Sequence, residues 1–342
     1  TKHGHAQGPI GSLLIREAGH PVPDQDTFSA TEEALALTDG LTAEDTVLFL
    51  LSGGGSALFE APLVPQEELQ SITQSLLASG ADIVEMNTIR KRLSAVKGGR
   101  FAQHCAPAKV FSIVLSDIIG DPLDMIASGP AYPDSSTCAD ARRIAEQYGL
   151  RLSPEASQCL ERETPKVLDN VETLITGSVR ELCAAASAAC RELGYEPVLL
   201  TDSLDCEARE AGAFLAAVAR AHQDTDCSLA FLAGGETVVH LTGSGLGGRN
   251  QELALSAAAG IAGLEDTAVF SLGSDGTDGP TDAAGGFVDG GTKERLARQG
   301  VRIFEVLKNN DAYHALTACG GLLHTGATGT NVNDVAVLLI RR

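Results

Sequence analysis

The chain has no uninterrupted apolar stretch of about 18 residues, the length that reads as a transmembrane helix. Its opening, TKHGHAQGPIGS, has no apolar core of a signal peptide. These absences exclude a membrane-spanning helix in the sequence and lead us to expect a cytoplasmic protein without a membrane partner. Basic residues are few: 25 Lys and Arg against 45 Asp and Glu give a net charge of −20. Such an excess disfavours nucleic acid and anionic lipid as partners, and it makes any local basic cluster informative. Eight cysteines (Cys105, Cys138, Cys159, Cys183, Cys190, Cys206, Cys227, Cys319) include no C-x-x-C pair, which argues against a structural zinc site. They lie scattered in apolar or helical-looking stretches and read as buried free thiols of a reducing compartment. A Walker A loop, H-E-x-x-H and G-x-S-x-G are all missing, and the eight histidines do not cluster at ligand spacing. Methionine occurs only at 86 and 125 and position 1 is threonine, so the sequence opens mid-pattern, with a further segment expected before it.

What is present is glycine, 37 residues of it, and a 44% hydrophobic content over 342 residues, enough for two cores. TVLFLL (46–51) reads as a short buried strand running into SGGGSAL, with helices expected at 66–79 and over 83–103, broken at Gly98-Gly99. KVFSIVLS (109–116) is the next strand, and helices follow near 138–148 and 154–162. This alternation predicts an α/β fold with a mostly parallel sheet. The polar stretch ETPKVLDNVE (163–172) is the expected linker, dividing a Rossmann-like first domain (1–165) from a second α/β domain (171–342). In the second, VETLITGS, EPVLLT, SLAFLAGG, TVVHLT, AVFSLGS and VAVLLI read as strands, and 180–193 and 206–222 as helices.

Five glycine-rich or charged loops stand where an open α/β sheet binds ligands, beyond the carboxyl ends of its strands. In SGGGSAL, from Ser52 through Gly53, Gly54, Gly55 and Ser56 to Leu58, backbone N–H groups can converge on an anion; a tight strand-to-helix turn is the plainer reading. IRKRLSAVKGGR carries Arg90, Lys91, Arg92, Lys97 and Arg100, and the spacing of Arg90, Lys97 and Arg100 places them on one helix face, as an anion site or a solvated face. SDIIGDPLD puts Asp117 and Asp121 after a strand, as metal ligand, base or turn residues. SDGTDGPTDAAGG offers Asp275, Asp278 and Asp282 to Mg²⁺, or as Asp-Gly turns; EF-hand spacing fails because Gly286 stands at a ligand position. GSGLGGRNQE (243–252) satisfies G-x-G-x-x-G, with Glu265 and Asp266 near the place of a ribose-binding acid. Against the dinucleotide reading, Arg249 directly follows the last glycine, Asn250, Gln251 and Glu252 come next, and the preceding TVVHLT looks like half of a hairpin. An arginine there can instead neutralise charge on a transferring phosphoryl group.

EAGHPVPD, SGGGSAL, MNTIRKRLSAVKGGR, SDIIGDPLDMIASGP, GGETVVHLTGSGLGGRNQE, SDGTDGPTDAAGGFVD and TGATGTNVNDVAVLLI occur in that order. Together they resemble the class II glycerate 2-kinase family, whose C-terminal region is called the MOFRL domain, over about residues 1–342. The resemblance implies transfer of the ATP γ-phosphoryl group to D-glycerate to give 2-phosphoglycerate, with Mg²⁺, in a cleft between two α/β domains. It implies a catalytic role for Arg249, and a segment before residue 1 that carries a lysine in a G-K-A-type motif. On this reading Asp117 and Lys97 join Arg249 in catalysis. Ser52–Ser56, Arg90, Arg100, Asn250 and Glu252 bind substrate or phosphate, and Asp117 and Asp275 hold the metal. An NAD(P)H-dependent hydroxypyruvate reductase and a non-catalytic sugar-acid-binding protein are the alternatives; a homo-oligomer is compatible with each.

Overall fold

The computed structural model describes residues 1–342 apart from Gln7, Asp117 and Asp121. The expectations for Asp117 and Asp121 therefore lie outside the described residues. The chain forms two compact units, Thr1–Leu115 with Asp121–Thr176, and Ser116–Gly120 with Gly177–Arg342.

The first unit begins with α1 (Gln25–Leu37), β1 (Thr46–Leu51), α2 (Gly55–Leu58), α3 (Gln66–Ala78) and α4 (Ile83–Arg92). It continues through α5 (Arg100–His104), β2 (Lys109–Leu115), α6 (Cys138–Gln147) and α7 (Pro154–Leu160) to β3 (Val171–Gly177). Local chemistry explains several helix starts. Asp24, Asp82 and Thr137 each cap a helix reciprocally with the residue three on, and Ser153 caps α7 ahead of Pro154. The sheet order is β1-β2-β3. β1 pairs parallel to β2, and β3 runs with β2 too, since the Val110 N–H donates to Asn170 O and the Ser116 N–H to Gly177 O. β1 is not the buried strand its composition promised: Leu48 and Leu50 are 62% and 67% exposed. Its other side, Val47 and Phe49, packs on Phe101, Ala102 and Val110. A second core of this unit lies between α3, α4, α6 and α7. The 163–172 stretch is no free linker. Thr164 is buried and donates to Asp134, and the strand after it joins the smaller sheet.

The second unit comprises α8 (Val179–Glu192), β4 (Glu196–Leu204), α9 (Ala208–Ala221), β5 (Leu229–Gly235), α10 (Arg249–Gly260) and β6 (Thr267–Gly273). There follow β7 (Gly285–Asp289), α11 (Thr292–Arg298), α12 (Ile303–Lys308), α13 (Ala312–Cys319), β8 (Leu322–Leu323) and β9 (Asp334–Ile340). Its six-stranded sheet has the order β4-β5-β9-β6-β7-β8, with β4 parallel to β5 and the remaining pairs antiparallel. The parallel expectation thus holds for the small sheet, and the large one is mixed. Strand alternation distributes the core: Ala230, Leu232, Val335 and Val337 meet α8, whereas Phe231, Ala336, Leu338 and Ile340 join the cluster with α9 and α10. TVVHLT is not a strand and forms no hairpin. The Val238 N–H donates to Cys206 O and the Thr242 N–H to Asn310 Oδ1, so the segment is held by loops and not by a neighbouring strand. Five of the eight cysteines are buried, and all are free thiols. Among the described residues no helix is long and apolar enough to cross a membrane.

Candidate active site

A cavity of about 1000 Å³ opens in the second unit where the extended 236–248 segment meets the start of α10. Glu236, Thr237, Gly243, Gly245, Gly248, Arg249, Glu252, Asp275, Asp278 and Asn310 line it, with Ile118 and Ile119. Arg249 is the first residue of α10. Its Nε donates to Asp334 Oδ2 at 2.5 Å and its Nη2 to Asp334 Oδ1 at 3.1 Å, a bidentate pair, while Nη1 donates to Glu236 Oε1 at 2.6 Å. Burial disfavours this guanidinium's charge, but Asp334 and Glu236 more than offset it, and its pKa moves up from an already high value. The side chain keeps a third of its surface open, with N–H groups left over for a ligand. Burial pushes the Asp334 carboxyl up, against the opposing pull of Arg249.

The start of α10 is already filled by the protein's own anion. The Asp278 carboxylate accepts from the Asn250 N–H at 3.2 Å and the Gln251 N–H at 2.9 Å, and from Asn250 Nδ2 at 3.3 Å. It takes the place a pyrophosphate occupies in a dinucleotide fold. Burial raises its pKa to about 6, although those N–H groups pull it down. The first four residues of the glycine loop are likewise committed to their own chain. The Gly243 N–H donates to Asn310 Oδ1, the Ser244 N–H to Asn309 Oδ1, the Gly245 N–H to Asn309 O and the Leu246 N–H to Asp311 Oδ1. A Cβ at Gly243 would lie 2.3 Å from Asn309 O, and one at Gly245 2.4 Å from Asp311 Cβ. These glycines exist so that the loop can press against residues 309–311. Glu265 and Asp266 follow the far end of α10, about 18 Å from its start at the usual helical rise.

Among the remaining expected residues of this unit, Asn250 is buried and accepts from the Ser271 hydroxyl at 2.5 Å. Glu252, also buried, binds Arg209 and Asn310 and so ties α10 to α9 and to the 309–311 loop. Asp275 lines the cavity, and one of its oxygens accepts from the Thr277 N–H. Asp282 instead accepts from the Tyr313 hydroxyl, so Asp275, Asp278 and Asp282 each have separate partners and do not form one cluster. Sequence reasoning assigned no role to Glu236, Asp334 or Asn310. The first two stand in the GGE and NVND stretches, and only the fold brings them to Arg249.

In the first unit the structure brings together the Ser52–Ser56 loop, Arg90 and Lys97, and leaves Arg100 apart. Arg90 Nη2 and Lys97 Nζ both donate to Ser56 O, at 2.9 and 2.8 Å. The expected common helix face does not form, because α4 ends at Arg92 and Arg100 begins α5. Arg100 donates to the carbonyls of Lys91, Arg92 and Ser94. Lys91 pairs with Asp134 and Asp124, and Arg92 with Ser136 and Glu163, so neither offers a free charge to a ligand. Burial pulls the pKa of Arg90 and Arg100 down and that of Lys97 to about 8. His20, from GHPVP, lies against the same loop, with ring atoms 3.4–3.5 Å from where a Cβ of Gly54 would be.

These features define a two-unit α/β protein with an arginine-centred small-molecule cavity in its C-terminal unit. Residues 1–161 match a family model described as a domain of unknown function (DUF4147), and residues 229–334 match the MOFRL family. The chain is 54% identical over 346 residues to D-glycerate 2-kinase of Thermotoga maritima, covering 99% of this chain and 83% of that protein. A crystal structure of glycerate kinase from the same organism aligns with a TM-score of 0.95, covering 99% of this chain and 84% of that one. Glycerate 2-kinase of Pyrococcus horikoshii is 39% identical, covering 99% of this chain and 80% of its own length. A protein of Agrobacterium vitis named a putative hydroxypyruvate reductase is 40% identical over the same shares. The chain belongs to the class II glycerate 2-kinase family, with its MOFRL region in the second unit.

Proposed function

We propose that the protein transfers the γ-phosphoryl group of ATP to the 2-hydroxyl of D-glycerate, giving 2-phosphoglycerate and ADP. The observation that carries this reading is Arg249, a permanent cation fixed by two carboxylates at the edge of a cavity large enough for a small-molecule substrate. Such a group acts by placing charge where the transferring phosphoryl develops it, with no reorganisation at the moment of reaction. Asp334 and Glu236 orient Arg249, and its remaining N–H groups face the phosphoryl oxygens. Arg90 and the Ser52–Ser56 loop bind the anionic end of glycerate or of the nucleotide. Mg²⁺ suits the donor set, because this ion is ordinarily held by one or two carboxylates plus phosphate oxygens and water. Asp275, on the cavity wall, is the described carboxylate that would take it, and the ion would offset polyphosphate charge. Asp117 keeps its sequence-based place as metal ligand or proton acceptor.

The reductase alternative needs a pyrophosphate cradle at the glycine loop. The backbone donors of residues 243–246 are engaged by Asn309, Asn310 and Asp311, and those of Asn250 and Gln251 by Asp278, which speaks against it. The test is a ³¹P NMR time course with Mg-ATP and D-glycerate, beside an absorbance assay with NADH and hydroxypyruvate. A growing 2-phosphoglycerate signal with no NADH consumption is expected. NADH oxidation without phosphoglycerate would overturn the reading.

A further inference from the structure

We infer that Lys97 is a positioning residue, which shapes the Ser52–Leu58 loop by gripping its main chain and does not touch substrate. The inference rests on the loop's place in the proposed kinase. Lys97 is completely buried. Its ammonium donates to Ser56 O at 2.8 Å and to Phe59 O at 2.9 Å, and it faces Glu60 Oε2 at 3.4 Å. An ammonium has three donors, and here all three directions point into protein. Arg90 donates to the same Ser56 oxygen, so two cations fix one peptide of the loop.

The opposite side of the loop is held as firmly. Ala127 and Ser128 are left-handed at φ 50° and 62°, a conformation that residues with a side chain adopt at a cost of order 1–3 kcal/mol. Ala127 lies so close to Gly55 that a Cβ there would be 2.6 Å from its own. Ser128 meets the Ser56 hydroxyl at 3.2 Å and donates to Asn87 Oδ1 at 2.9 Å. The Lys97 turn is bolted to this strained segment, since the Gly98 N–H donates to Ser128 O and the Gly99 N–H to Gly129 O. Loop, lysine turn and strained segment form one clamp.

Glu60 explains why the lysine remains charged in so dry a place. Both its carboxylate oxygens are buried without a hydrogen bond, and the Lys97 charge is their compensation. Arg90 opposes the lysine charge and Glu60 supports it; burial is the larger influence and sets the lysine pKa at about 8. Deprotonation removes the ionic half of the grip, so the loop loosens above that pH.

The experiment uses hydrogen exchange of the 52–58 amides together with steady-state kinetics. Lys97→Met alone leaves Glu60 uncompensated and risks unfolding, so the variant is Lys97→Met with Glu60→Gln. Expected are exchange at 52–58 faster by roughly tenfold without substrate, a KM higher by about tenfold, and a kcat changed by less than about threefold. Unchanged exchange, or a kcat lowered by about 10²-fold at constant KM, would overturn the inference. If the double variant does not fold, the wild-type protein decides. Its KM rises through a pKa near 8 at constant kcat, and its 52–58 amides lose protection beyond the intrinsic pH effect; a flat profile refutes the grip. Exchange needs no turnover, so the grip stands or falls on it even if the kinase reading fails.

Discussion

Each unit places a cation in a polar centre, Lys97 in the first and Arg249 in the second, and the two are treated in opposite ways. Lys97 is sealed from solvent with two carbonyls and a single carboxylate, and burial drives its pKa down to about 8. Arg249 is partly open to a cavity, held by two carboxylates, and its pKa goes up despite burial. A compact ammonium can be tuned by desolvation, whereas a guanidinium between two carboxylates keeps its charge at every working pH. The first arrangement suits holding a loop and the second suits meeting a phosphoryl group. The two glycine loops differ in the same sense. In 52–58 a carbonyl is pinned by cations from behind, while in 243–246 the N–H groups are turned inward and taken by residues 309–311.

The largest effect expected is from Arg249→Ala, with kcat/KM falling by on the order of 10²- to 10³-fold. Arg249→Lys should recover little, because lysine cannot reproduce the bidentate contact with Asp334 while also reaching Glu236. Steady-state kinetics on both variants checks this. A lysine variant within about threefold of wild type would show that charge alone matters there, and the contrast with Lys97 would collapse.

Next comes Asp278. Its folded pKa is raised from 3.8 to about 6 by burial, so its favourable contribution is fully present below the unfolded value and is lost as pH rises through the folded one. Denaturant unfolding at a series of pH values should show wild type losing about 3 kcal/mol relative to Asp278→Asn between roughly pH 3.5 and 7. A constant difference would mean that the α10 N–H groups fully compensate the buried charge.

The smallest pair sharpens the reading of the glycine loop. Gly245→Ala drives a Cβ to 2.4 Å from Asp311 Cβ and 2.6 Å from Asn309 O, and should cost about 1–3 kcal/mol of stability. Gly247→Ala meets nothing nearer than 3.3 Å and should cost less than about 1 kcal/mol. Urea melts of the two variants test the difference. Equal costs would mean that the loop does not rest on residues 309–311 as described.

Long periodic segments were readable from local pattern. Strands 46–51, 109–115 and 229–235 and helices 66–78 and 138–147 stand within a residue or two of expectation. TVVHLT failed because β-branched composition says only that a segment suits extended backbone, while a strand needs a neighbour to bond with. The Gly285–Asp289 strand was missed because GGFVD is short and carries no alternation. Of the candidate site, Arg249 and the SGGGSAL loop were visible as types in place. The partners of Arg249 were not, since Asp334 lies 85 residues away, at the start of a strand that the sheet sets between β5 and β6.

By itself the sequence determined the α/β class, the ordered run of motifs and the net negative charge, because these depend on composition and local periodicity. The tertiary structure alone decided what each charged group does. Lys91, Arg92 and Lys97 are fully buried, and the N–H groups of residues 243–246 in the glycine fingerprint are engaged by its own chain. Those outcomes depend on dielectric and on partners distant in sequence, and neither is encoded in any short stretch of residues.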